Sequence, residues 1–224
     1  LGMSAADAGE IYGTYLAFVY FTPFLGGMIA DRFLGFRLSV FLGGLMMAAG
    51  YFCLAWPALS TFFAGLLLLC LGNGLFKPNI SAMVGNLYEP GDPKRDAGFN
   101  IFYMGINIGA SLSAIVAAPL RNLWSFNAAF AAAGVGLLIA VVWLVANWRK
   151  LAPADKRSDP GADEMSFGKI CSMILLPAAI FGVAGYYACD QLPFLAFAKD
   201  TIGAITFGFI AGMLPIIGYF VILV

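Results

Sequence analysis

Lys77 lies inside an apolar run long enough to cross a bilayer, in the stretch Gly72-Asn-Gly-Leu-Phe-Lys77-Pro78-Asn79-Ile-Ser81. An ammonium at membrane depth costs about 2.5 to 3.5 kcal/mol on insertion scales, so such a residue faces a cavity or a partner and marks a functional site by default. Pro78 follows it directly. It has no amide hydrogen and its ring crowds the carbonyl of Gly74, which predicts a kink beside the lysine. Membrane helices tolerate such a bend where neighbours or cavity water satisfy the freed backbone groups, which suits a solute site and a purely structural kink alike.

Other residues could share the work. Tyr103 and Asn107 stand four apart on one apolar run, so they share a helix face, and Gly105 and Gly109 form a small-residue stripe suited to packing. For Asn107 an interhelical hydrogen bond is the plainer alternative, and for Tyr20, on an earlier run, an ordinary packed aromatic. Asp31, Arg32 and Arg37 cluster in one turn around Gly35. A carboxylate at a helix end followed by arginines can form charge-assisted hydrogen bonds to a neighbouring helix, and these can break when helices rock; a solvated turn that anchors topology is the simpler reading.

There is no histidine, so any proton work falls to carboxylates. The chain also lacks a His-based metal motif and a Ser-His arrangement, which argues against an enzyme. Cys53, Cys70, Cys171 and Cys189 sit in or at the ends of apolar runs without metal-site spacing, and read as small packing residues. No basic face or run suggests nucleic acid.

The elements that must position these residues follow from composition. The chain has 224 residues, 62% hydrophobic and 11% charged, with mean hydropathy +0.90. That is far from the balance of a soluble domain, about 25% charged, and predicts an all-α, polytopic membrane bundle. Ser4-Ala-Ala-Asp7 resembles a capping box opening the first helix, and no export signal is expected there. Apolar spans are expected over 11–30, 38–56, 61–88, 97–119, 127–147, 170–189 and 202–224. The third exceeds the roughly 20 residues a helix needs to span hydrocarbon. Residues 149–169 are the extended hydrophilic stretch and read as an aqueous linker.

With seven spans, nine basic residues (Arg32, Arg37, Lys94, Arg95, Arg149, Lys150, Lys156, Arg157 and Lys169) fall on one side and two, Arg121 and Lys199, on the other. The first side is therefore expected to be cytoplasmic. Residue 1 then starts outside on an inward-going helix, and the chain stops within an apolar run, so a preceding span and a following portion are expected to belong to the same protein.

The turn Gly27-Met-Ile-Ala-Asp31-Arg32 with Gly35 and Arg37 resembles the signature loop of the major facilitator superfamily, with one extra residue before Gly35. Tyr20-Phe-Thr-Pro23-Phe-Leu-Gly26-Gly27 leading into that turn resembles the proton-dependent oligopeptide transporter (POT) family within it. The stretch around Lys77 is similar to that family's fourth-helix motif, and Phe102-Tyr103-Met-Gly105-Ile-Asn107-Ile-Gly109 to its fifth-helix motif. The three matches stand in order on successive helices and cover at least residues 1–150.

The resemblance implies a major facilitator bundle with residues 1–148 as second to sixth helices, 149–169 as a cytoplasmic linker, and 170–224 as a two-helix hairpin between the halves. The alternative for 170–224 is a seventh and eighth helix, with Asp190 where an acidic residue often stands; as a hairpin, Asp190 is an outer-turn residue. It further implies a symporter of di- and tripeptides in the plasma (inner) membrane, driven by a proton gradient without a cofactor. Lys77, Asn107 and Tyr20 would line the peptide cavity, and Asp31, Arg32 and Arg37 would serve gating and proton coupling together with Lys77. An absent first helix would carry a Glu-x-x-Glu-Arg motif, and an absent C-terminal half would complete the cavity. The rival readings are a receptor or structural membrane subunit that moves no solute, and a transporter of another small anion.

Overall fold

The computed structural model describes residues 4–156, 167–191 and 204–223, and among these every regular element is helical. The helices are α1 (Ala5–Ile29), α2 (Phe36–Ala55), α3 (Leu59–Asn86), α4 (Lys94–Leu123), α5 (Phe126–Ala146), α6 (Phe167–Ile170), α7 (Leu176–Gln191) and α8 (Ala204–Leu223). Among the described residues six stretches are long and apolar enough to cross a membrane: 7–34, 36–55, 59–86, 94–123, 126–146 and 168–188. The seventh apolar run of the sequence forms α8. The expected outer turn of the last pair, with Pro193, Lys199 and Asp200, lies outside the described residues, as do Arg157 and the side chains of Cys189 and Asp190.

The start of α1 carries the expected box. The Ser4 hydroxyl accepts from the Asp7 amide at 3.1 Å, and the Ser4 amide donates back to Asp7 Oδ2 at 3.3 Å. Two orphan donors of the first turn are thereby satisfied reciprocally. At its other end α1 runs into a π-helical turn, Ala30–Leu34, which Gly35 closes with φ 81°. That angle is one L side chains rarely adopt, which is why glycine stands there.

Contacts divide the chain into two compact units, residues 18–158 and residues 2–17 with 159–224. In the first unit glycines set the helix spacing. Gly43 and Gly50 of α2 face Gly72 and Gly65 of the antiparallel α3, and a Cβ on any of them would come within 3.0 Å of the partner's carbonyl oxygen. Without side chains the two backbones approach closely and gain dispersion along their length, the main attraction open to helices in lipid. Gly44, one step round α2, receives Val141 of α5, and Gly134 of α5 receives Phe52. α2 is thus wedged between α3 and α5.

The apolar cluster at the basic-loop end joins Ala30, Phe36, Val40, Met83 and Ala154. Ala154 belongs to the segment expected to be an aqueous linker. Within it Ala154 is buried against the bundle and Leu151 packs beside it, supplying apolar surface among an otherwise polar run. Around the small-residue stripe of α4, no described residue lies within 4 Å of a Cβ placed on Gly105 or Gly109, and no residue of α4 is buried among the described residues.

In the second unit α7 and α8 pair antiparallel through small residues. Gly208 lies against Gly182, Gly212 against Ala178, and Gly185 against Ala211. The Gly208-x-x-x-Gly212 stripe therefore packs as its spacing suggests.

Candidate functional site

The site is built by the way α1 and α3 are fastened. They run in the same direction, and three polar side chains cross between them. Asn73 Nδ2 donates to the Val19 carbonyl at 3.0 Å, the Thr22 hydroxyl to the Cys70 carbonyl at 2.8 Å, and Asn79 Nδ2 to the Gly26 carbonyl at 3.2 Å. Asn79 is 1% exposed and also donates to the Leu75 carbonyl at 2.8 Å. Hydrogen bonds between membrane helices are worth about 0.6 to 2 kcal/mol each.

Gly26 completes the seam. A Cβ there would fall onto the Gly74 carbonyl, the group that Pro78 leaves without its helical donor. The Gly26 Cα therefore sits against an oxygen with spare accepting capacity, and a weak Cα–H···O contact takes up part of it. α3 stays helical through Pro78 from Leu59 to Asn86.

This fastening sets Tyr20 beside Lys77. The Lys77 ammonium lies 5.6 Å from the centre of the Tyr20 ring. Both side chains are exposed, Tyr20 at 72%. No carboxylate among the described residues pairs with Lys77, so the ring face is the partner of its charge. Such a cation–π contact at an exposed position contributes about 0.5 to 1 kcal/mol. Two full charges attract more strongly than a charge and a quadrupole, so a carboxylate can pair with this ammonium while the ring still holds it.

Asn107 stands apart from this pair. Its amide donates to the Tyr103 carbonyl one turn back at 2.9 Å, and no hydrogen bond or ring contact joins it to Lys77 or Tyr20. It lies in an open groove along α4 where Asn100, Tyr103, Asn107 and Ser111 alternate with Met104, Ile108 and Leu112. This polar stripe with apolar flanks can meet a solute through both hydrogen bonds and surface burial.

The turn residues differ in exposure. Asp31 is exposed and Arg32 half-buried within the π-helical turn. Arg37 faces the segment after α5: its Nε donates to Asp155 Oδ2 at 2.9 Å and its Nη1 to the Trp148 carbonyl at 2.9 Å. Sequence reasoning passed over Asn73, Thr22, Asn79 and Asp155. The first three could have been found as hydrogen-bonding side chains within apolar spans; nothing local to Asp155 points to Arg37.

Comparisons with known proteins agree on one group. A profile of the POT family matches residues 37–174. The chain is 41% identical over 142 residues to a di-/tripeptide transporter of Lactococcus lactis subsp. lactis, covering 63% of this chain and 29% of that protein. It is 31% identical over 214 residues to the dipeptide and tripeptide permease A of Citrobacter koseri, covering 94% of this chain and 41% of the permease. Among solved structures, that of the peptide transporter POT in complex with sulfate superposes with a TM-score of 0.72 at 34% identity, over 99% of this chain and 44% of the transporter. The chain thus spans less than half the length of these relatives.

Proposed function

Because the chain belongs to the POT family, we propose that it serves in a symporter that couples proton entry to the uptake of di- and tripeptides across the plasma membrane. It is an all-helical, multi-pass membrane chain of a transporter family, not an enzyme. The observation that carries the substrate reading is the Lys77 ammonium, exposed on a membrane-spanning helix and faced by the Tyr20 ring alone among the described residues.

A peptide's C-terminal carboxylate is the complement of that ammonium. Tyr20 holds the lysine in a defined place while leaving its charge unneutralised, so the ammonium stays available to a carboxylate. Proton coupling needs a second, protonatable carboxylate that competes with the substrate for Lys77. When that group takes a proton it loses its charge and releases the lysine to bind peptide; when it gives the proton up, it reclaims the lysine and expels the substrate carboxylate. The polar stripe of Asn100, Tyr103, Asn107 and Ser111 supplies donors and acceptors for a peptide backbone. Asp31 and Arg32 lie at the turn where α1 ends and serve as an inner contact that forms and breaks as the two halves rock.

The deciding experiment is uptake of a labelled dipeptide by the full-length protein in proteoliposomes with an imposed proton gradient. Accumulation above the equilibrium level that collapses with the gradient supports the reading. Accumulation of a small non-peptide anion but of no peptide favours the anion alternative, and movement of neither favours a receptor or structural role.

A further inference from the structure

At the basic-loop end, the first turn of α2 is completed by a residue 118 positions away. Gly35 precedes α2 and has no side chain to cap it, so the first amides of the helix lack partners. The Arg37 amide donates to Asp155 Oδ1 at 3.0 Å while the Arg37 Nε donates to Asp155 Oδ2 at 2.9 Å. One carboxylate therefore caps the helix and holds its arginine at once, where the positive end of the helix dipole also favours a negative charge.

The same arginine reaches further. Its Nη1 donates to the Trp148 carbonyl at 2.9 Å, and its guanidinium lies 5.1 Å from the centre of the Trp148 ring, which meets Phe41 of α2 nearly edge-on at 6.1 Å. From the other side, Asn86 at the last turn of α3 donates to the carbonyls of Ala154 and Lys156, each at 3.1 Å. Between these two anchors Ala154 is 0% exposed, packed with Ala30, Phe36, Val40 and Met83. A segment that only connected helices would need neither a buried residue nor hydrogen bonds to two other helices. The ion pair is also mostly shielded, with side chains 19% and 20% exposed, so it escapes the screening that makes surface pairs weak.

We propose that residues 148–156 form a strap that ties the ends of α2, α3 and α5 into one rigid body, with Asp155 as its positioning residue acting through Arg37. The strap itself follows from this geometry. Its consequence, that the three helices move together during transport, rests on the transporter reading above. Both residues lie at the basic-loop end, and none of their contacts among the described residues is to Lys77 or Tyr20, so the strap governs how fast the bundle changes state and leaves substrate affinity alone.

Hydrogen exchange measured by mass spectrometry on the full-length protein in lipid nanodiscs tests the strap without any transport. In the parent the amides of Ala152, Ala154 and Asp155 are hydrogen-bonded within the segment, and that of Leu151 to the Asn147 carbonyl just before it, so they should exchange slowly. Asp155→Asn and Arg37→Gln should each speed exchange over 149–156 by on the order of tenfold, the loss expected for one charge-assisted hydrogen-bonded pair. Combining them should add little, because both cut the same latch. Asp155→Glu, which keeps the charge, should recover much of the protection. Parent-like exchange in both single variants would overturn the strap. In proteoliposomes Asp155→Asn should lower the maximal rate of dipeptide uptake several-fold with KM within about twofold of the parent. Faster exchange with an unchanged maximal rate would overturn the mechanical role. Absence of peptide uptake by the parent would count against the transporter reading, and the exchange result would still decide the strap.

Discussion

The Lys77 ammonium of α3 sits 5.6 Å from the centre of the Tyr20 ring of α1, and each residue owes its place to bonds made by others. Asn73, Thr22 and Asn79 fasten the two parallel helices, and Gly26 allows them to touch backbone to backbone. The buried seam fixes the geometry, and the exposed pair is left free to meet a ligand.

Lys77→Ala should reduce gradient-driven dipeptide accumulation by at least about thirtyfold, the loss expected when one partner of a desolvated charge pair is removed. Because Lys77 is exposed and bears no part of the seam, the thermal midpoint of the purified protein should stay near that of the parent. Parent-like accumulation in the same proteoliposomes would reject the role given to this lysine.

Tyr20 should act through its ring. Tyr20→Phe keeps the face presented to the ammonium and should leave uptake close to that of the parent. Tyr20→Leu removes it and should raise KM about two- to fivefold, the range of an exposed cation–π contact. Equal damage from Phe and Leu would assign the effect to the phenolic hydroxyl instead.

Much of this was legible in the sequence. Apolar run lengths located the helices, and the cost of a charge at membrane depth is what made Lys77 a candidate. What was not legible is long-range pairing. Asp155 reads as one polar residue in a hydrophilic stretch, and only folding brings it to the Arg37 amide. Spacing likewise marks which glycines can pack but not against what: Gly208 and Gly212 meet α7, while Gly105 and Gly109, with the same spacing, meet no described residue. Asn79 was passed over because the adjacent charge and proline drew the functional reading.

Asn79→Ala should destabilise the fold by about 1 to 3 kcal/mol, since it withdraws a buried donor from the Gly26 carbonyl. Asn107→Ala provides the contrast. Its amide bonds only within its own helix and is exposed, so stability should stay within about 0.5 kcal/mol of the parent while dipeptide affinity falls. Thermal unfolding in detergent, read beside substrate binding, separates the two. A stable Asn79→Ala protein would mean that the seam does not depend on this bond.

Gly26→Ala should be the most damaging of the small substitutions. Its methyl would meet the Gly74 carbonyl, which is backbone and cannot swing aside, so α1 and α3 must part. Overpacking of this kind costs about 1 to 3 kcal/mol. Parting the helices also stretches the Asn79 and Thr22 bonds and moves Tyr20 away from Lys77, so uptake should fall together with stability. Gly105→Ala adds the same methyl where nothing lies within 4 Å. It should be neutral, or stabilise α4 by up to about 1 kcal/mol through helix propensity. Thermal midpoints of the two variants, measured side by side, give the comparison. A similar loss in both would show that contact across the α1–α3 seam is not what requires glycine at position 26.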